Sequence, residues 1–427
     1  MIKVAIRSIK DDFSRAMFFW LTFVLTSMFM FLFFHVSYGQ GVRFIDAKND
    51  ISTFVTILVI TICMIVIYFA NDFYVKKKSK DLAVYLVCGG TFIQIALFLL
   101  IQTICLFLLA IPFGIALAVA FFPVVNYVLA VYLQSDIVIS IQTSAATSTL
   151  IIIFVVLVWC TILNLGYAFR SSIKSLIDDE KTIDKQLLGF PVEFQINVKK
   201  LLNLKKIIAA IMFIGPLFLM YFNRHDFKSM MLFSMIGMIG FYLCIGCYVI
   251  PCLDYLVKER IVHKPIQLIT YGFVRNDILL MKKNIVLLVV STVLLLAILL
   301  SCIDRPLQVL LSMLSFVLIN ILLSLSIMFR FSTELVTRIR VFKSIFYIGY
   351  TLKLQKTIMR KEIVIVYGFI ISVCLLYMMN IFGLLYMTGL LNVSLIYSML
   401  FAFLIPLLIC GFINYMYYRY IILKGVK

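Results

Sequence analysis

Residues 70–90 read ANDFYVKKKSKDLAVYLVCGG, a strongly basic segment set between two long apolar runs. Shifting the chain by 260 positions lays Phe69 on Phe329, Lys78 on Arg338, Lys80 on Arg340, Gly89 on Gly349 and Thr91 on Thr351. In both copies an apolar run leads in, a basic amphipathic segment follows, and a second long apolar run leads away. The chain is therefore read as carrying an internal duplication, and its fold is expected to follow that duplication.

Composition sets the solvent in which the fold must work. With 64% apolar residues and a mean hydropathy of +1.12, the chain lies far above the roughly 45–50% apolar content of soluble domains. It reads as a polytopic membrane protein. A formal net charge of +19 would suggest nucleic acid in a soluble chain, but the placement of the basic residues gives another reading. Threaded through ten spans, the chain puts 33 of its 38 Lys and Arg on one side, leaving Arg43, Lys48, Arg224, Lys228 and Arg305 on the other. Such asymmetry marks the cytoplasmic face, so both termini are expected there, in the cell membrane, and the basic excess reads as topology and affinity for anionic headgroups. No nucleic-acid partner is expected.

In order along the chain, Met1–Arg15 alternates apolar and charged residues as a surface helix would. Spans are expected at 17–38, 51–70, 91–122, 149–169, 207–222, 230–250, 284–302, 308–328, 362–387 and 393–417, each a run of apolar residues near the length a bilayer requires. Pro112 with Gly114 is expected to kink the third. Cytoplasmic linkers are read at 170–206, with its charged IDDEKTIDKQ, and at 251–283. NLGY at 164–167 and NYMY at 414–417 place an Asn and a Tyr at the end of the fourth and tenth spans. The expected fold is all-α: ten transmembrane helices in two parallel four-span repeats, 1–169 and 251–427, joined by the linker 170–206 and a helix hairpin, 207–250.

This order of elements, with the basic segment YFANDFYVKKKSKDLAVYLVCGGTF ahead of a long third span, resembles the FtsX-type permease domain of ABC transporters. Two such domains joined by an extra span pair resemble the ten-span permeases of bacitracin-type antimicrobial-peptide transporters. The first copy carries the likeness more strongly, and KSIFYIGYTLK in the second keeps Gly349 and the general pattern. The resemblance implies that the segments before spans three and nine dock on ABC ATPase subunits, two of them. It thereby implicates Asp72, Lys76, Lys77, Lys78, Lys80, Asp81, Tyr85 and Gly89, and in the second copy Glu334, Arg338, Arg340, Lys343 and Gly349. Topology alone is the other account of these basic residues, and their repetition favours docking. No G-x-x-x-x-G-K-[ST] phosphate cradle occurs in the chain, so ATP and Mg are expected on the partner and no cofactor on this protein. In one respect the chain departs from its likeness. The resembling permeases carry an external domain between spans seven and eight, or between one and two, whereas the connections here are Ile303–Leu307 and Gly39–Asp50. A further membrane or sensor subunit would have to supply that part.

Other chemistry is sparse. Cys63, Cys105, Cys160, Cys374 and Cys410 fall inside apolar runs, where cysteine acts as a small hydrophobe. Cys244, Cys247 and Cys252 have no His or second C-x-x-C beside them, and no metal site is expected. His35, His225 and His263 are scattered. Glu362, beside Arg360 and Lys361, is expected to be a paired interfacial charge rather than a proton relay. Gln94, Gln102, Asn164, Asn320, Asn380 and Asn414 enter the spans, where interhelical hydrogen bonding is the default role. Gln102, Asn320 and Asn380 are the candidates for lining a cargo path. The expected function is that of a permease subunit, not an enzyme and without catalytic residues. With separate ATPases it would export, extract or confer resistance to a hydrophobic or amphipathic peptide or lipid-linked compound. The alternative is a non-transporting subunit that signals by passing ATPase-driven motion across the membrane.

Overall fold

The computed structural model describes residues 7–8, 13–38, 50–133, 141–170, 199–222, 227–257, 264–301, 306–387 and 393–426, and among these the regular elements are all helical. Hydrocarbon offers no partner for backbone N–H and C=O groups, so apolar runs of this length close their hydrogen bonds within a helix. The helices are α1 (Phe13–Tyr38), α2 (Asp50–Lys77), α3 (Ser79–Val87), α4 (Phe92–Leu133), α5 (Thr143–Arg170), α6 (Lys199–Phe222) and α7 (Phe227–Cys244). After a single π turn, Ile245–Val249, come α8 (Ile250–Tyr255), α9 (Pro265–Ser301), α10 (Pro306–Tyr347), α11 (Leu352–Met387) and α12 (Val393–Val426). Ten stretches among the described residues are long and apolar enough to cross a membrane. The chain is an all-α, multi-pass membrane protein.

Several helices outrun their apolar cores. α4 has 42 residues, about 63 Å at 1.5 Å per residue, twice the roughly 30 Å hydrocarbon thickness, and it is unbroken through Pro112 and Pro123. α10 also has 42 residues, of which only Leu311–Phe331 is a membrane candidate. The seventh span differs from its sequence reading. A linker was expected through Lys283, yet α9 runs without interruption from Pro265. The reason is local charge compensation: Arg275 donates from Nη2 to Asp254 Oδ2 at 3.3 Å, and Asp277 is met by a cation inside the fold. The expected surface helix 1–15 lies largely outside the described residues. The connections 39–49, 171–198, 223–226 and 302–305, with the charged IDDEKTIDKQ linker, lie wholly outside them.

The chain divides into two compact units, one of Met1–Ile183 with Asp304–Leu322, the other of Asp184–Ile303 with Leu323–Lys427. In the first, α1 is the central helix and packs along α2, α4 and α5. Its approach to α4 depends on Gly114, where a Cβ would stand 1.9 Å from Ser27 Oγ and 2.7 Å from the carbonyl oxygen of Val24; small residues let backbones come this close. Phe19 stacks on Tyr74 at 4.6 Å and Phe23 meets Phe107 edge-on at 4.8 Å. In the second unit α9 is central, packed on α7, α8 and α11, while α6 pairs with α7 and α11 with α12. The α6–α7 contact closes at Gly240, where a Cβ would lie 2.3 Å from the Met212 carbonyl carbon and 2.4 Å from the Phe213 nitrogen.

Candidate functional site

Two helix ends, 260 residues apart in the sequence, are built alike. α3 ends at Gly89 (φ 91°) and α10 at Gly349 (φ 106°), the two glycines with positive φ among the described residues. The Gly89 N–H donates to Leu86 O at 3.0 Å and the Gly90 N–H to Tyr85 O at 3.0 Å; the Gly349 N–H donates to Phe346 O at 3.0 Å and the Tyr350 N–H to Ile345 O at 3.2 Å. Both are Schellman caps, which need a left-handed residue just past the helix and so favour glycine. A membrane-spanning helix starts right after each cap. Thr91 caps α4, its N–H donating to Gln94 Oε1 at 3.0 Å while its Oγ1 accepts from the Gln94 N–H at 3.4 Å, a capping box. Leu354 holds the corresponding place after Thr351, and the second turn is tied instead by Gln355, whose Nε2 donates to Phe342 O at 3.3 Å.

Among the described residues, each turning segment carries one buried cation. Lys78, between α2 and α3, is 1% exposed. Its Nζ donates to Ser8 Oγ at 2.9 Å and to Gln102 Oε1 at 3.1 Å, and Tyr74 OH donates to the same Gln102 oxygen at 3.3 Å. Arg338 on α10 is 2% exposed and pairs through Nη1 with Glu362 Oε1 and through Nη2 with Asp277 Oδ1. Tyr418 OH donates to Glu362 Oε2 at 2.9 Å, and the guanidinium lies over the Phe273 ring at 5.0 Å and the Phe331 ring at 5.6 Å. Lys78 and Arg338 each reach 24 residues onward, onto the following span. Buried charge is tolerated only when it is paired or fully hydrogen-bonded. Burial by itself would lower the Arg338 pKa, but the facing carboxylates of Asp277 and Glu362 outweigh it and push it well above the ordinary arginine value. Thus Glu362 is a paired charge, its partner is Arg338, and both side chains are buried.

The remaining expected residues fall into three groups. Lys78 and Arg338 direct their charge inward, as above. Asp81, in the first turn of α3 where the helix dipole favours an acid, is exposed, as is Lys343, whereas Asp72 and Tyr85 are half-buried. Lys76, Lys77, Lys80, Glu334 and Arg340 sit on the same helices, and their side chains lie outside the described set. Both turns also expose apolar side chains beyond the spans: Val84 and Val87 on α3, and Phe346, Tyr347 and Ile348 at the end of α10, with Tyr347 83% exposed. Of the lining candidates, Gln102 is buried and engaged by Lys78 and Tyr74. Asn320 is buried and donates to Phe316 O at 2.9 Å in its own helix. Asn380 is half-buried, its Nδ2 lying 3.9 Å from Met220 Sδ.

Sequence reasoning did not single out Ser8, Tyr74, Asp277 or Tyr418. For Asp277 the sequence gives no clear signal, because only four apolar residues, 278–281, separate it from Lys282 and Lys283. The two motif asparagines are both buried: Asn164 donates to Thr103 Oγ1 at 2.7 Å and Asn414 to Tyr367 OH at 2.6 Å. Among the described residues no three His, Cys, Asp or Glu side chains gather as a metal site. Compared with known proteins, the sequence matches no family model and finds no significant match among curated proteins.

Proposed function

We propose that the chain is the permease subunit of an FtsX-type ABC transporter, two four-span copies joined by the α6–α7 helix pair, working with two separate ATPase subunits that bind ATP and Mg. Its cargo is a hydrophobic or amphipathic peptide or lipid-linked compound, exported or extracted from the bilayer of the cell membrane. The observation that carries this reading is the matched pair of turns at Gly89 and Gly349. Each ends a basic segment, has the same Schellman hydrogen bonds, exposes apolar side chains outside the spans, and leads directly into a membrane helix. A chain without a nucleotide site has to receive work from one, and a rigid apolar knob on a basic segment is the shape that a groove on an ATPase can hold. By the distribution of Lys and Arg, both turns and both termini face the cytoplasm.

In this reading Lys78 and Arg338 are positioning residues. They fasten each turn to the span behind it, so that force on the exposed knob is delivered to α4 and α11. The experiment is affinity purification of the full chain from its native membrane in mild detergent, with identification of co-purifying chains and an ATPase assay. An ATPase should accompany the wild type and be lost from Val87→Asp and Tyr347→Asp, both at exposed positions that leave the helix packing intact. Purification of a well-folded wild type with no ATPase would overturn the proposal.

A further inference from the structure

The cations around α9 differ in what answers them. Arg338 meets Asp277 and Glu362, and Arg275 meets Asp254. Lys282 stands seven residues beyond Arg275, on the same face of α9, inside the apolar stretch Pro265–Leu299. It is half-buried, and among the described residues no carboxylate pairs with it. Its ammonium lies instead over the Tyr242 ring of α7, 3.7 Å from the centroid. A ring holds a cation in place without cancelling its charge, and an uncancelled cation on a membrane helix calls for an anion from outside the chain.

The surroundings of that ammonium are open. Tyr242 is exposed. So is Gly246, in the π turn Ile245–Val249, and a Cβ built there would stand 3.4 Å from Lys282 Nζ; glycine therefore keeps that approach clear. Turns of this kind recur at functional sites. Ile239 and Met235, three and seven residues before Tyr242, are exposed as well and extend its face of α7 as an apolar strip. Depth follows from the neighbouring helix. Two residues past Gly246, Tyr248 OH donates to Lys206 O at 2.8 Å, and the apolar stretch of α6 begins at Leu204. The ammonium is thus near the end of these spans, where headgroups begin, and the strip leads from it toward the hydrocarbon.

We propose that the seam between α7 and α9 binds an anionic phospholipid of the phosphatidylglycerol type. The phosphate sits on the Lys282 ammonium, beside Gly246 and at the edge of Tyr242, and an acyl chain runs along Ile239 and Met235. A phosphodiester brings the missing negative charge. A choline headgroup would add a cation next to Lys282 and the exposed Lys283, so the site should favour the anionic lipid. The ATPase reading plays no part here, so each can fail alone. The test is native mass spectrometry of the purified full chain equilibrated with an equimolar mixture of phosphatidylglycerol and phosphatidylcholine. The wild type should retain phosphatidylglycerol preferentially, and excess inorganic phosphate should leave it bound because the strip holds its tail. Lys282→Gln should cut that retention by about tenfold or more, and Gly246→Leu, which covers the ammonium, should also reduce it. Lys282→Arg, which keeps the charge, should preserve it, as should Lys205→Gln, which removes an exposed lysine of α6. Equal retention of both lipids by the wild type, displacement of the lipid by phosphate, unchanged retention in Lys282→Gln or Gly246→Leu, or an equal loss in Lys205→Gln would overturn the assignment.

Discussion

Arg338 and Lys78 occupy corresponding places and are both buried, and the groups that face each one set what its substitution costs. Arg338 faces two carboxylates, so Arg338→Met strands Asp277 and Glu362 in the interior without a counter-charge. Breaking a buried pair in this way is expected to cost about 3–5 kcal/mol. Lys78 donates to the uncharged oxygens of Ser8 and Gln102, and Lys78→Met should cost about 1–3 kcal/mol through the loss of these hydrogen bonds and the stranding of their acceptors. Unfolding in one detergent measures both losses, and an Arg338→Met variant as stable as the wild type would contradict the assigned pairing. Asp277 shows why the cluster was hard to read in advance. Among RND residues flanked by Lys282 and Lys283 it looks like surface charge, and only the packing of α9 against its neighbours reveals that it is buried.

At the scale of the element, the Schellman caps should behave alike in both turns. Gly89→Ala and Gly349→Ala place a Cβ on a left-handed residue, at a cost of about 1–2 kcal/mol. Because that Cβ meets nothing within 4 Å at either position, the cost is conformational alone, and asparagine, which tolerates this region, should recover part of it. Hydrogen exchange at Gly89 and Gly90, and at Gly349 and Tyr350, should rise in the alanine variants and fall back in the asparagine ones. The helix hairpin α6–α7 gives the opposite case. Gly240→Leu drives a side chain into the α6 backbone and should disrupt that packing, whereas Gly215→Leu, with open space at its Cβ, should unfold with the wild type. Similar unfolding of these two leucine variants would refute the close contact at Gly240.

On the scale of the whole molecule, the basic residues predict one orientation. Reporter fusions within 171–198 and at the C-terminus should report the cytoplasm, and fusions within 39–49 and 302–305 the opposite side; the reverse pattern would invert the proposed topology and place both turns away from any ATPase. The ten apolar runs, the all-helical class, the two basic segments and the two glycines were legible from the sequence because each is local: twenty apolar residues in hydrocarbon have to be helical, and a glycine after a helix marks its cap. The lengths of the helices were less legible. α9 and α10 extend through charged stretches that look like loops, since a charge ends a span only if nothing inside the fold answers it.

From sequence alone came the membrane class, the spans and the periodicity that lines up Lys78 with Arg338. Tertiary structure alone decided which way those two cations face. A periodic pattern reports that a residue recurs, whereas burial depends on which helices pack beside it. Only packing brings Ser8 and Gln102 to Lys78, and Asp277, Glu362 and Tyr418, which span 141 positions from Asp277 to Tyr418, to the surroundings of one guanidinium.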